Sequence, residues 1–140
     1  AGLGRRRDVN VWVTPGSKDD IDASFAAGNL NLQLLTGFRL SRVWRGTLRI
    51  VTVIPDESAR ASTDAFLREL CDLSRMPESV ERVILVGAVE PAMRRAPVAD
   101  LSILGLVRES PNFDWASTAI EATRGSCLFV MDSGRESARA

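Results

Sequence analysis

A glycine, a hydroxyl and a lysine follow the first apolar run of the chain. The run covers residues 9–13, and the segment from Pro15 to Lys18 reads Pro-Gly-Ser-Lys. Such residue types after a strand can hold a phosphate group. A phosphate-binding loop, however, needs the pattern GxxxxGK[ST] with a helix directly after it, and this segment lacks both. An ordinary loop is the favoured interpretation, with phosphate binding as the minor one.

Four polar residues are the candidates for a ligand site. In open parallel sheets, ligands bind outside the carboxyl ends of the strands, where the winding direction reverses. The loop after Val13 would then lie near the loop after Leu104. The polar side chains of these two loops are Thr14, Ser17, Lys18 and Arg108. The sequence assigns no cofactor to them.

Several kinds of catalysis are excluded by composition. The chain has no histidine and no tyrosine, so histidine acid–base chemistry and histidine metal ligation are ruled out. Cys71 and Cys127 have no CxxC spacing and are interpreted as reduced packing residues. Asp100 and Asp132 have no positioned partner, which favours turn or capping roles. We expect no catalytic residue, no metal site and no enzyme.

Length and charge restrict the class of protein further. The 140 residues are 45% hydrophobic, which predicts a single domain with a sizeable core. The 18 basic and 18 acidic side chains cancel, so nothing supports binding to nucleic acid. Apolar runs reach only about seven residues, against roughly 20 for a bilayer-spanning helix. We therefore expect no direct membrane span.

Five short apolar runs separated by segments with helical spacing set the fold class. The runs cover residues 9–13, 48–54, 83–86, 101–104 and 127–131. This alternation predicts an α/β fold, a three-layer sandwich with a five-stranded, mostly parallel sheet. The last run is almost entirely apolar, which predicts a strand buried on both faces.

Helical spacing predicts which faces of the helices are buried. A helix capped by Asn29 and ended by Gly46 would turn Leu30, Leu34, Leu35, Phe38 and either Val43 or Trp44 inward. Gly37 within it indicates close backbone packing. Later inward residues are predicted by the same spacing: Phe66, Leu67, Leu70, Cys71 and Leu73 in the next helix, Val89 and Met93 in a short one, and Trp115, Ala119 and Ile120 in the last.

Two tryptophans are weak candidates for an interface. Trp44 and Trp115 belong to a residue type that is enriched at protein interfaces. Burial in the core is the favoured interpretation for both.

Residues 9–132 are predicted to form a single domain, and the two ends of the chain are predicted to lie outside it. Residues 1–8 form a basic leader or linker with Arg5, Arg6 and Arg7. This triplet fits a solvated leader or a basic segment beside a preceding membrane helix. Ser133 and Glu136 form a capping box, so residues 133–140 read as the start of a truncated helix or as a frayed tail.

Five segments in order carry a family resemblance. They are DVNVWV at 8–13, NLNL at 29–32, WRG at 44–46, ADLSILGL at 99–106 and SCLFVMDSG at 126–134. Together they resemble the cytosolic C-terminal domain of prokaryotic cation-chloride cotransporters, which are similar to Na-K-Cl cotransporters in the amino-acid-permease superfamily. The resemblance covers almost the whole chain.

The resemblance implies a fold, a place in the cell and a role. The fold is that of the universal stress proteins, and it follows a bundle of transmembrane helices in the same polypeptide. The implied domain is cytoplasmic and lies at the inner face of the cell membrane. It would serve regulation, trafficking or homodimerisation of the transporter, and it would associate through a sheet edge or helix face. No ion-site residue carries over to these positions.

The alternative is a freestanding nucleotide-binding protein of the universal stress type. Such proteins carry a GxxG-type loop after the fourth strand. Here the segment 105–110 has a single glycine, Gly105, so we expect no nucleotide cofactor.

Overall fold

The computed structural model describes residues 7–13, 29–105 and 113–130. We number the strands and helices of this part in chain order. The strands are β1 (Val9–Trp12), β2 (Leu48–Ile54), β3 (Glu81–Val86), β4 (Leu101–Gly105) and β5 (Ser126–Val130). The helices are α1 (Asn29–Trp44), α2 (Arg60–Leu73), α3 (Val89–Arg95) and α4 (Phe113–Thr123), and a 3-10 turn (Glu57–Ala59) leads into α2.

The strands form one sheet in the order β3-β2-β1-β4-β5, and every pair is parallel. The predicted α/β class is therefore confirmed. Parallel neighbours need crossover helices, and right-handed crossovers in this order place α1 and α2 on one face and α3 and α4 on the other. The winding direction reverses between β1 and β4.

The larger core lies between the sheet and the pair α1 and α2. Val9, Val11 and Ile103 point to this face and are fully buried. Phe66, Leu67 and Leu70 close it from α2, as the helical spacing predicts. Gly37 brings α1 close to the sheet, because a Cβ there would lie 2.4 Å from Val11 Cγ2.

The smaller core lies between the sheet and the pair α3 and α4. Trp12, Val51 and Leu104 come from the sheet. Met93 packs on them from α3 and Ala119 from α4. On α4, the fully buried residues of this core are the small Ala119 and Ala122.

Three sequence predictions about burial are wrong. β5 is an edge strand, so its apolar side chains are not buried on both faces, and Leu128 is 37% exposed. Ile120 is 48% exposed because the inward stripe of α4 runs through Ala119, Ala122 and Thr123 instead. Val89 is also exposed, since it begins the short helix α3.

Within the described residues, no helix is both long and apolar enough to span a bilayer. The longest, α1, has 16 residues and carries two arginines near its end.

Candidate functional site

The switch point predicted for ligand binding exists in the fold. β1 pairs with β2 on one side and with β4 on the other, so the chain reverses its winding there. The four candidate residues Thr14, Ser17, Lys18 and Arg108 lie outside the described residues. Their role as ligand contacts stays a prediction.

Two side-chain hydrogen bonds hold the end of β1 in the described part of the switch point. Gln33 Nε2 donates to the carbonyl oxygen of Trp12, and Thr52 Oγ1 donates to that of Val13 at 2.8 Å. Both side chains are buried. The indole Nε1 of Trp12 is buried and has no hydrogen-bond partner among the described residues. Gln33, Thr52 and this indole are features that sequence reasoning missed.

A polar network ties four strands together at the opposite, amino edge of the sheet. Arg49 Nη2 contacts Asp8 Oδ2 at 3.2 Å, and Arg49 Nε contacts Glu81 Oε2 at 3.0 Å. Arg49 Nη1 also donates to Asn10 Oδ1 at 3.3 Å. On the far side, the Asp8 N–H donates to Asp100 Oδ2 at 3.2 Å. Asp100 thus connects the start of β4 to the start of β1, a long-range contact that differs from the local turn or capping role favoured by the sequence.

This network belongs to a polar row that crosses the whole sheet. Registered neighbours share a face of a parallel sheet, and the row facing α3 and α4 reads Glu81, Arg49, Asn10, Ser102 and Cys127. Two residues further along each strand, the row is apolar. No sequence motif marks the polar row, because only the register brings its members together.

The described residues show no arrangement of a catalytic kind. Burial raises the pKa of the Cys71 thiol and that of the Cys127 thiol, so both stay protonated at neutral pH. Thr123 Oγ1 lies 3.2 Å from Cys127 Sγ. In the part of the chain that the structure describes, no cluster of histidine, cysteine or acidic residues could hold a metal ion.

The edges of the sheet offer a different kind of site. β5 contains serine, cysteine and three apolar residues but no charge, and Leu128 is exposed there. β3, the other edge, begins with the charged residues Glu81 and Arg82. Uncharged apolar edges expose unpaired backbone groups and favour pairing with another strand. The candidate site is therefore the β5 edge.

The tryptophans proposed as interface anchors lie elsewhere. Trp44 is half-buried and packs against the larger core, and Trp115 is half-buried and packs against the smaller one. Both locations agree with the core interpretation that the sequence favours.

Fold and edge together define a class, an α/β domain with a doubly wound parallel sheet and one uncharged edge. Residues 4–139 match the family model of the prokaryotic cation-chloride cotransporter C-terminal domain, 2nd. The chain belongs to this family, and the resemblance drawn from the five sequence segments is confirmed. No curated protein matches the chain significantly.

Solved structures provide a second comparison. The chain is similar to the cytoplasmic domain of a prokaryotic cation chloride cotransporter, with 30% sequence identity and a TM-score of 0.81. The match covers 98% of this chain and 50% of that one, so the chain spans half the length of this relative. A universal stress protein in complex with cAMP aligns with 16% identity and a TM-score of 0.48, over 90% of this chain and 97% of that one.

Proposed function

We propose that this chain is a cytosolic regulatory and dimerisation domain of a cation-chloride cotransporter-type membrane transporter. It performs neither transport nor catalysis itself. Its partners are the transmembrane domain of the same polypeptide and a second copy of the chain, and it lies at the inner face of the membrane. Family membership supports the assignment to a cation-chloride cotransporter, and the uncharged β5 edge supports dimerisation.

The edge strand β5 is the observation that carries dimerisation. Its outward N–H and C=O groups have no partner strand among the described residues. Two copies related by a two-fold axis can pair their β5 strands in antiparallel fashion, which joins two sheets into one. Leu128, 37% exposed, and the half-buried Phe129 supply apolar surface on the two faces beside this seam.

Sedimentation of the purified chain over a range of concentrations tests dimerisation. We expect the apparent mass to rise from 15.3 kDa toward about twice that value as concentration increases. Leu128→Lys places a charge on the edge and should keep the chain monomeric. Val43→Lys is the matched control, since Val43 is 77% exposed on α1 and is not part of the β5 edge.

Two results would count against this function. A mass of 15.3 kDa at every concentration excludes dimerisation by this chain alone. Equal loss of dimer in Leu128→Lys and Val43→Lys would place the interface elsewhere.

One observation favours the alternative, a nucleotide-binding protein. The indole N–H of Trp12, which has no hydrogen-bond partner in the part of the chain that the structure describes, lies at the end of β1, next to the switch point. Thermal unfolding with and without millimolar ATP separates the two functions. We expect no change in the melting temperature, and an increase that saturates with ATP concentration would support nucleotide binding instead.

A further inference from the structure

Four arginines share an unusual backbone conformation. Arg7, Arg45, Arg75 and Arg124 have φ between 54° and 57°, and they are the non-glycine residues with positive φ in the described part of the chain. They precede β1, β2, β3 and β5. Because all strands are parallel, these four positions lie at one edge of the sheet, the amino edge.

Turn geometry alone does not explain arginine at these positions. At the end of α1, the Gly46 N–H donates to the Ser41 carbonyl at 2.9 Å and the Arg45 N–H to the Arg42 carbonyl at 3.2 Å. This pair of bonds is a Schellman motif, in which glycine is the usual left-handed residue. The end of α2 repeats it around Arg75. Glycine would suit both turns better, so the guanidinium groups need another explanation.

A groove lies between the ends of α1 and α2 at the same edge. It has a volume of about 410 Å³, and Phe38, Leu48 and Val80 supply its apolar lining. Arg42 and Arg45 line the α1 side. Within the described residues, neither arginine forms an ion pair, and the Arg42 guanidinium lies 5.6 Å from the centre of the Phe38 ring.

In the described part of the chain, no carboxylate forms an ion pair with Arg42, Arg45 or Arg75. The carboxylates of Asp8 and Glu81 are bound by Arg49. Asp72 and Glu78 belong to α2 and to the α2–β3 connection. The arginines on the α1 side of the groove therefore have no bound carboxylate among the described residues, although the net charge of the whole chain is zero.

The first described residue, Arg7, lies beside this groove. A Cβ on Gly46 would lie 1.6 Å from the Arg7 carbonyl oxygen, and Arg7 Nη1 donates to the Trp44 carbonyl at 3.3 Å. The six residues before Arg7 span at most about 20 Å when fully extended. A domain joined to residue 1 is thus held near the amino edge.

We propose that the amino edge docks an acidic surface of the domain that precedes this chain in its parent polypeptide. Arg42, Arg45 and Arg75 pair with carboxylates, and the groove accepts an apolar side chain. The proposal rests on the proposed function, in which the chain is part of a longer transporter. It fits a family model that is numbered second and a match that spans half of a related cytoplasmic domain.

The test uses the cytoplasmic region of the parent protein, with a protease site inserted before Arg5. After cleavage, we expect the two halves to elute together at 50 mM salt and to separate at 500 mM. The double variant R45G/R75G should weaken their association about tenfold, because each exposed charge pair contributes up to roughly fivefold. The melting temperature of the chain should stay equal or rise, since glycine favours the left-handed turn.

Arg60→Gln is the matched control, because it removes one arginine charge at the start of α2, at the opposite edge of the sheet. We expect it to leave the association unchanged. Wild-type halves that separate at 50 mM salt would overturn the proposal, as would an R45G/R75G variant that associates like the wild type. A loss of melting temperature in R45G/R75G that matches its loss of association would assign these arginines a structural role and also overturn it.

Two further outcomes separate the possible explanations. If the cleaved halves do not associate but the chain co-sediments with phosphatidylglycerol vesicles through Arg45 and Arg75, the basic edge serves a lipid surface and the proposal fails. If no domain precedes the chain in its parent gene, this proposal and the proposed function fail together. If the cleaved halves dissociate but the isolated chain still dimerises, only this proposal fails. The proposed function is tested separately, because dimerisation is measured on the isolated chain.

Discussion

At the residue scale, Arg49 does more than any other described side chain to connect strands. It lies on β2, has a side chain only 15% exposed, and contacts Asp8, Asn10 and Glu81. Partly buried charges need these partners, because removing one leaves the others short of hydrogen bonds. The contacts among these residues could not be predicted from the sequence, because they depend on the register between β1, β2 and β3.

Replacing Arg49 by methionine should lower the free energy of unfolding by about 2 kcal/mol, since Asp8 and Asn10 lose a buried donor. Urea denaturation measures this value. Glu81→Gln is the control, and it should cost less than about 1 kcal/mol because the Glu81 side chain is 56% exposed. Equal effects of the two substitutions would contradict the central position of Arg49.

Gly37→Ala provides a test of packing between α1 and the sheet. Alanine improves helix propensity by about 1 kcal/mol, but its Cβ would meet Val11 Cγ2 at 2.4 Å, and overpacking costs roughly 1–3 kcal/mol. We expect net destabilisation by about 1 kcal/mol in urea denaturation. In a Val11→Ala background the same change should become neutral or stabilising. Stabilisation by Gly37→Ala in the wild type would show that α1 lies further from the sheet.

The two thiols should react slowly in the native protein. Burial raises the pKa of both Cys71 and Cys127, so little thiolate exists at neutral pH. Alkylation by iodoacetamide followed by mass spectrometry should show slow labelling of both in buffer and fast labelling in urea. Rapid native labelling of Cys71, which is 9% exposed, would contradict its buried position.

At the element scale, apolar runs identify strands but not their neighbours. All five predicted strands exist, with shifts of one or two residues at their ends, and the helical spacing of α2 places Phe66, Leu67 and Leu70 correctly. The apolar composition of β5 suggested a central strand, whereas strand order puts it at the edge. Order depends on which crossover covers which face, and that information is spread over the whole chain. Thr14, Ser17, Lys18 and Arg108 lie outside the described residues, so their role as ligand contacts stays a prediction.

The 3-10 turn Glu57–Ala59, which leads into α2, should lose stability at acid pH. Asp56 has extended backbone, and its Oδ1 accepts from the Ser58 N–H at 2.8 Å. Hydrogen bonds from the Ser58 hydroxyl and from its backbone N–H lower the pKa of Asp56 below its ordinary 3.8. A lowered pKa in the folded state gives stability that is present above pH 3.8 and lost as the pH falls through the folded value.

Asp56→Ala should therefore lower the melting temperature at pH 7, with a difference from wild type that shrinks in acid. Asp56→Asn keeps the capping oxygen and should retain more of the stability at pH 7, without the acid-dependent step. Melting curves from pH 7 to pH 2.5 measure both. A difference for Asp56→Ala that is constant with pH would contradict the capping role of the carboxylate.

At the scale of the whole molecule, the balanced charge of the chain conceals an uneven distribution. Arginines with left-handed backbone stand at the amino edge, whereas β5 at the side of the sheet has no charge. A sequence total of zero cannot show this, because only the fold sorts the residues among edges. This distribution gives two surfaces. The β5 edge is suited to pairing with a second copy of the chain, and the amino edge is suited to an acidic domain of the same polypeptide.

The most direct measurement is an immunoblot of fractionated source cells with an antibody raised against this chain. We predict a band in the membrane fraction, resistant to a high-salt wash, with a mass several times 15.3 kDa. Such a band would show that the chain is one domain of an integral membrane protein. A soluble band near 15.3 kDa would contradict the account and leave the freestanding nucleotide-binding protein as the function to test.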